Sequence, residues 1–316
     1  VIVSESPEKN VESTEMGTVK MDIEEIKKMP AFMGEVDIIK SIQTLPGVTT
    51  VGEGATGFNV RGGAIDQNLI LLDNSPLYSS SHLFGFFSVF NADAISDVEL
   101  YKGSIPAMYG GRASSVLDIH QKEADYNKIK GEGGIGVVSS RLTLQAPIKK
   151  DKASILVSGR RSYADIFLKL NPDLRDQQAY FYDLNTQISY KVNPKNKLLL
   201  SGYYGRDVFN FGELFGFDWG NTALSLRWKH TFNDRLFLTT SLIYTNYDYS
   251  LGGDNFFIWT AKIRNYNGKT DFTYYFGKKD ENEKYNHKLT FGVSSLLYHF
   301  FPCLLYTSDA ADDSLR

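Results

Sequence analysis

Asp73, His82 and the run Ser79 to Ser81 are of the types that hydrolysis uses: a hydroxyl nucleophile, an imidazole base and a carboxylate to orient it. The set lacks a frame. No Gly-x-Ser-x-Gly elbow surrounds these serines, and their polar surroundings read as a loop, so no catalytic residue is expected. His82 with Asp66 or Asp73 has no metal-ligand spacing, and the lone Cys303 excludes a cysteine cluster or a disulfide framework. The glycine-rich stretch Gly131 to Gly136 lacks the Lys and Ser/Thr of a phosphate loop. An enzyme, a metal centre and a cofactor are therefore not expected.

Two loops have binding chemistry instead. Gly52, Gly54 and Gly57 leave backbone open to close approach. Tyr78, Ser80 and His82, with Phe84, Phe86 and Phe87 behind them, mix aromatic surface with polar groups. Arg61, Glu99, Lys102 and Arg112 are charges set among apolar strands, where charge-assisted hydrogen bonds compete with solvation.

The elements that would carry these residues change character along the chain. Residues 1–20 open on the β-prone Val1-Ile2-Val3 and continue as a polar linker. Asp22 and Glu25 frame a short helix that ends before Pro30, and the spacing of Val36, Ile38, Ile39, Ile42 and Leu45 predicts a second helix over 36–45. Short strands and glycine turns follow to Ile119. Residues 21–124 thus read as one α+β unit, and 128–301 as a second domain of long alternating strands. In Tyr182 to Val192 one face carries Leu184, Ile188 and Tyr190 and the other Asp183, Asn185 and Gln187; Leu224, Leu226 and Trp228 likewise oppose Arg227 and Lys229. Segments beyond ten residues exceed ordinary sandwich strands and suit a tilted membrane strand.

Turns at Lys149 to Lys152, Asn193 to Asn196 and Asn233 to Arg235 are tight, while the connections between them are looser, as in outer-membrane barrels. Roughly nine strands are expected, the first two joined near Ser139-Ser140, against about twenty-two for a lumen that holds a plug. The chain is therefore expected to be part of a longer one. It begins at Val1 with neither Met nor a signal segment, and residues 302–316 break the alternation and resemble a translated sequencing adapter, so that tail is expected to be non-native and unpaired.

Composition limits the classes further. The chain has 316 residues, 34 Lys+Arg against 37 Asp+Glu and a net charge of −3, so no basic field invites nucleic acid. Mean hydropathy is −0.26 and no run of about 18 apolar residues occurs, which excludes a helical span and leaves a β-barrel open.

The order Leu45-Pro46-Gly47-Val48, Phe58-Asn59-Val60-Arg61-Gly62-Gly63, Asp66 to Asp73, His82 to Asn91, Tyr101-Lys102-Gly103, Pro106 to Arg112 and Ser114 to Ile119 resembles the plug domain of TonB-dependent receptors. The resemblance is to the Bacteroidetes branch, which often carries a carboxypeptidase-regulatory-like domain upstream. It implies an α+β plug followed by a transmembrane antiparallel β-barrel in the outer membrane of a Gram-negative bacterium. It also implies energised import of a nutrient: siderophore-bound iron, cobalamin or a glycan. The expected partners are a periplasmic TonB-type protein, gripping Val1, Ile2 and Val3 by strand addition, together with the ligand and outer-membrane lipid. The loops with Gly52, Gly54, Gly57, Tyr78, Ser80 and His82 would face the ligand, and Arg61, Glu99, Lys102 and Arg112 would lock plug to barrel. A passive porin-like β-protein and a receptor signalling through an upstream domain are the competing readings.

Overall fold

The computed structural model describes residues 17–29, 31, 34–52, 56–211, 215–253, 257–279 and 285–307. Apolar residues at helical spacing build the first layer. Helices α1 (Ile23–Ile26) and α2 (Ile38–Gln43) bury Ile23, Ile26, Ile38, Ile39 and Ile42 in one core with Phe58, Val98, Leu100, Leu117 and Ile119. Asp37 caps α2 by accepting from Lys40 N. Asp22 does not cap α1: it ends the preceding strand opposite Asp97, and its side chain makes no cap bond.

The strands of this unit are β1 (Thr18–Asp22), β2 (Val48–Thr50), β3 (Phe58–Val60), β4 (Asn68–Leu72), β5 (Ser75–Pro76), β6 (Ser81–His82), β7 (Phe87–Ser88), β8 (Ile95–Tyr101) and β9 (Ser115–Gln121). The main sheet has the order β1-β8-β9-β4-β5, with β4 and β9 parallel. Between β4 and β5, Asp73 (φ 50°) and Asn74 (φ 69°) both take left-handed backbone, the two-residue turn that Asp and Asn tolerate. Strand β1 starts at Thr18, inside the stretch read as linker.

A second sheet of nine antiparallel strands follows in sequence order: β10 (Lys130–Ile135), β11 (Ser139–Lys149), β12 (Ala153–Ser162), β13 (Gln177–Asn193), β14 (Asn196–Phe211), β15 (Gly216–Thr231), β16 (Leu236–Gly253), β17 (Phe257–Lys279) and β18 (Tyr285–Thr307). Helix α3 (Ala164–Leu168) lies between β12 and β13. Period-two alternation holds through the middle of β13, β14 and β15. Leu184, Tyr190, Leu224, Leu226 and Trp228 are exposed, whereas Asp183, Asn185, Gln187 and Arg227 are buried against the first unit. Tyr203 and Ala223 of this sheet join the core of the N-terminal unit, so one sheet face is apolar and bare while the other receives that unit.

Two expectations need correction. The β10–β11 reversal is made by Gly136 to Val138, closed by Gly136 N donating to Ser139 O at 2.8 Å; Ser139 and Ser140 already lie in β11. Residues 304–307 do pair, Leu304 with Thr260 through Thr307 with Phe257. A free strand edge accepts any β-prone backbone, and a register shift between Thr260 and Lys262 absorbs Pro302, which has no N–H to give. Residues 308–316 lie outside the described residues.

Candidate functional site: the plug–barrel interface and its mouth

The inward register of the long sheet brings charges to the N-terminal unit. Arg160 (β12) is buried and donates from Nη1 to Glu35 Oε2 at 2.9 Å, from Nη2 to Asp183 Oδ2 at 2.7 Å and from Nη2 to Ser88 O at 2.7 Å. Ser139 also donates to Glu35. His82 sits between Asp207 and Asp183, and its ring stacks on Phe181 with centroids 4.3 Å apart. Arg227 Nη2 reaches Asp73 Oδ1 at 2.6 Å, Arg141 Nε reaches Asp93 at 2.7 Å and Asn91 donates to Ser158 at 2.8 Å. Apart from Arg160–Asp183, which lies within the long sheet, these bonds join residues 48 to 154 positions apart. A buried charge is tolerated only when paired, so each fixes the docking register.

Nearer the ends of the strands the interface turns aromatic. Leu83 (φ 50°) and Phe84 (φ 55°) take left-handed backbone. Phe84 thereby meets Phe209 at 4.3 Å, Trp219 at 5.1 Å and Phe217 at 5.8 Å, while remaining 59% exposed. Phe86 is also exposed, and Phe87 is buried near Phe181. A cleft of about 560 Å³ lies beside this loop, lined by Tyr78, Ser80, Asp66, Asn68, Ile65 and Arg112.

The residues singled out in the sequence divide. Tyr78 and Ser80 share that cleft with Arg112; Tyr78 OH also accepts from Asn265 Nδ2 at 3.2 Å, and burial raises its pKa. Gly52 is exposed, and a side chain at Gly57 would come within 2.8 Å of Val51 Cγ2. Gly54, Val1, Ile2 and Val3 lie outside the described residues. His82 is 1% exposed and faces the two barrel carboxylates, so its expected place as a ligand-facing group is corrected to one in the interface. The expected lock is also relocated. Arg61 packs along Gly103, where a Cβ would lie 2.5 Å from its Nη1; Glu99 accepts from Lys20 and Tyr101; Lys102 donates to Pro46 O, and Arg112 to Gly111 O. All of these are groups of the N-terminal unit. Glu35, Arg160 and Asp207 were missed, although Arg160 falls in the same two-residue register as Ser158 and Ser162, which was signal enough to mark an inward charge.

A TonB-dependent Receptor Plug Domain model matches residues 12–116. The chain carries the plug domain of TonB-dependent receptors. It is 29% identical over 140 residues to the ferrienterobactin receptor of Escherichia coli (strain K12), covering 39% of this chain and 18% of that protein. Among solved structures it resembles the alcaligin outer-membrane receptor FauA of Bordetella pertussis (TM-score 0.69, 16% identity, 94% of this chain and 49% of that one). It also resembles the copper transporter OprC (0.68, 12%, 94% and 48%) and the ferric enterobactin receptor PfeA of Pseudomonas aeruginosa (0.63, 17%, 90% and 49%). The chain spans about half the length of these structures. Its N-terminal unit is the plug, and its nine strands are an unclosed stretch of barrel in the outer membrane of a Gram-negative bacterium.

Proposed function

We propose that the receptor of which this chain is a part imports a bulky metal chelate of the ferric-siderophore type, driven by a periplasmic TonB-type partner that pulls on the segment before Thr18. The observation that carries the cargo side is the half-exposed aromatic group at the mouth, Phe84 over Phe209, Phe217 and Trp219, beside the cleft of Tyr78, Ser80 and Arg112. Aromatic faces offer a large contact area to a flat or greasy chelate, and Arg112 suits its anionic groups. Relatives named for ferric enterobactin and alcaligin support the class. The energised side is supported by β1, which among the described residues is an edge strand paired with β8, so tension on the preceding chain would act on it first.

The test is binding of ferric enterobactin, cobalamin and an oligosaccharide to the purified full-length receptor. Ferric-chelate binding, weakened about tenfold by Phe84→Ala in line with about 1.5 kcal/mol for an aromatic contact, is expected. Binding of cobalamin or glycan alone would reject the cargo class. Chelate binding indifferent to both Phe84→Ala and Tyr78→Ala would reject the site.

A further inference from the structure

His82 belongs to the plug, yet both its ring nitrogens face the barrel. Nδ1 lies 2.6 Å from Asp207 Oδ2 on β14, and Nε2 lies 3.2 Å from Asp183 Oδ2 on β13. A neutral imidazole has one N–H and could donate to only one of them, turning a lone pair on the other; the imidazolium donates to both. The site is buried, so solvent does not replace a lost donor.

Charge points the same way. Glu35 and Asp183 pair with the guanidinium of Arg160, while Asp183 and Asp207 flank His82, so an imidazolium supplies a second cation to this run of three carboxylates. Further titratable groups around the site are Tyr203 on β14, Tyr247 on β16 beside Asp207, and Asp37, which accepts from Ser88 N on β7. Burial alone lowers the His82 pKa, but Asp207 and Asp183 outweigh it and the net direction is upward.

Asp207 has a second task. Its Oδ1 accepts from Leu83 N at 2.8 Å, the first of two consecutive left-handed residues. Bulky side chains disfavour that backbone, so the turn persists only while it is held, and the turn is what lays Phe84 on Phe209 and Trp219.

We infer that His82 is a protonation latch: its imidazolium clamps the Ser81–Gly85 turn to Asp183 and Asp207, and loss of the proton frees the turn and Phe84 from the barrel wall. The latch regulates the mouth proposed above and rests on that reading for its role in uptake, though the clamp itself does not. Because the folded pKa is raised, the clamp is fully present below the ordinary value of 6.5 and is lost as pH rises through the folded value.

The test uses the full-length receptor with every native cysteine replaced by serine and a spin label at Phe86→Cys, titrated from about pH 5.5 to about pH 9. Heat-modifiable mobility in gels confirms folding of every variant. With His82 present, the label should pass from immobile to mobile in one transition with its midpoint above 6.5. His82→Gln should abolish the transition, and Asp207→Asn should move it to lower pH. A label without any transition, or one whose transition survives unchanged in His82→Gln, overturns the latch. Ferric-chelate binding on the same samples separates the two readings: a transition without chelate binding leaves the latch standing and removes the proposed cargo.

Discussion

At Arg160 a single side chain ties Glu35 and Ser88 of the plug to Asp183 of the barrel, and its removal strands two buried carboxylates. Arg160→Gln should destabilise the folded full-length receptor by about 3–5 kcal/mol, read as the denaturant midpoint of unfolding in detergent. Arg112→Ala, whose guanidinium bonds only a neighbouring plug carbonyl among the described residues, should stay within about 0.5 kcal/mol of wild type in the same assay. The contrast shows what the sequence made legible at this scale. Parity along a strand marked Asp183 and Arg227 as facing inward, but parity says nothing of the partner. Arg227 meets Asp73 across 154 positions, and His82 meets Asp207 across 125, pairings made by docking of one domain in another. Local pattern therefore put His82 in an open loop, whereas the fold buries it.

Among elements, the strands were the most legible, because an alternation of two needs only the local sequence, and the middle stretches of β13, β14 and β15 keep it, whereas β18 is exposed on both faces. The bare face should lie in lipid. Leu226→Arg should then cost about 2–4 kcal/mol near the midplane, measured by unfolding from bilayers, and an unchanged stability would place that face elsewhere. Element ends were less legible, since Gly136 and the pairing of 304–307 depend on neighbours that no window of sequence includes. Strand β1 offers a pH test. Burial raises the pKa of Asp97 and Glu99, but Ser96, His120 and Lys20 on the first, and Lys20 and Tyr101 on the second, bring both below the usual carboxylate value. Depressed carboxylate pKa values contribute stability above the unfolded value of about 4 that is lost as pH falls through the folded one. Hydrogen exchange of the β1 amides, corrected for intrinsic rate, should accelerate in acid and should already be faster at neutral pH in Glu99→Gln.

For the whole molecule, the plug core of Ile23, Ile38, Phe58 and Leu117 continues into Tyr203 and Ala223 of the barrel, so the plug is docked as a body in the wall. Under the proposed function, a plug docked in this way would have to be remodelled by energy supplied from outside the barrel. Uptake of ferric enterobactin by cells carrying the full-length receptor, with and without the energising partner, tests this most directly. The expected result is chelate binding at the surface in both strains, with accumulation inside only where the partner is present and lost when residues 1–16 are deleted. Equal accumulation in both strains would contradict energised import and favour a passive pore.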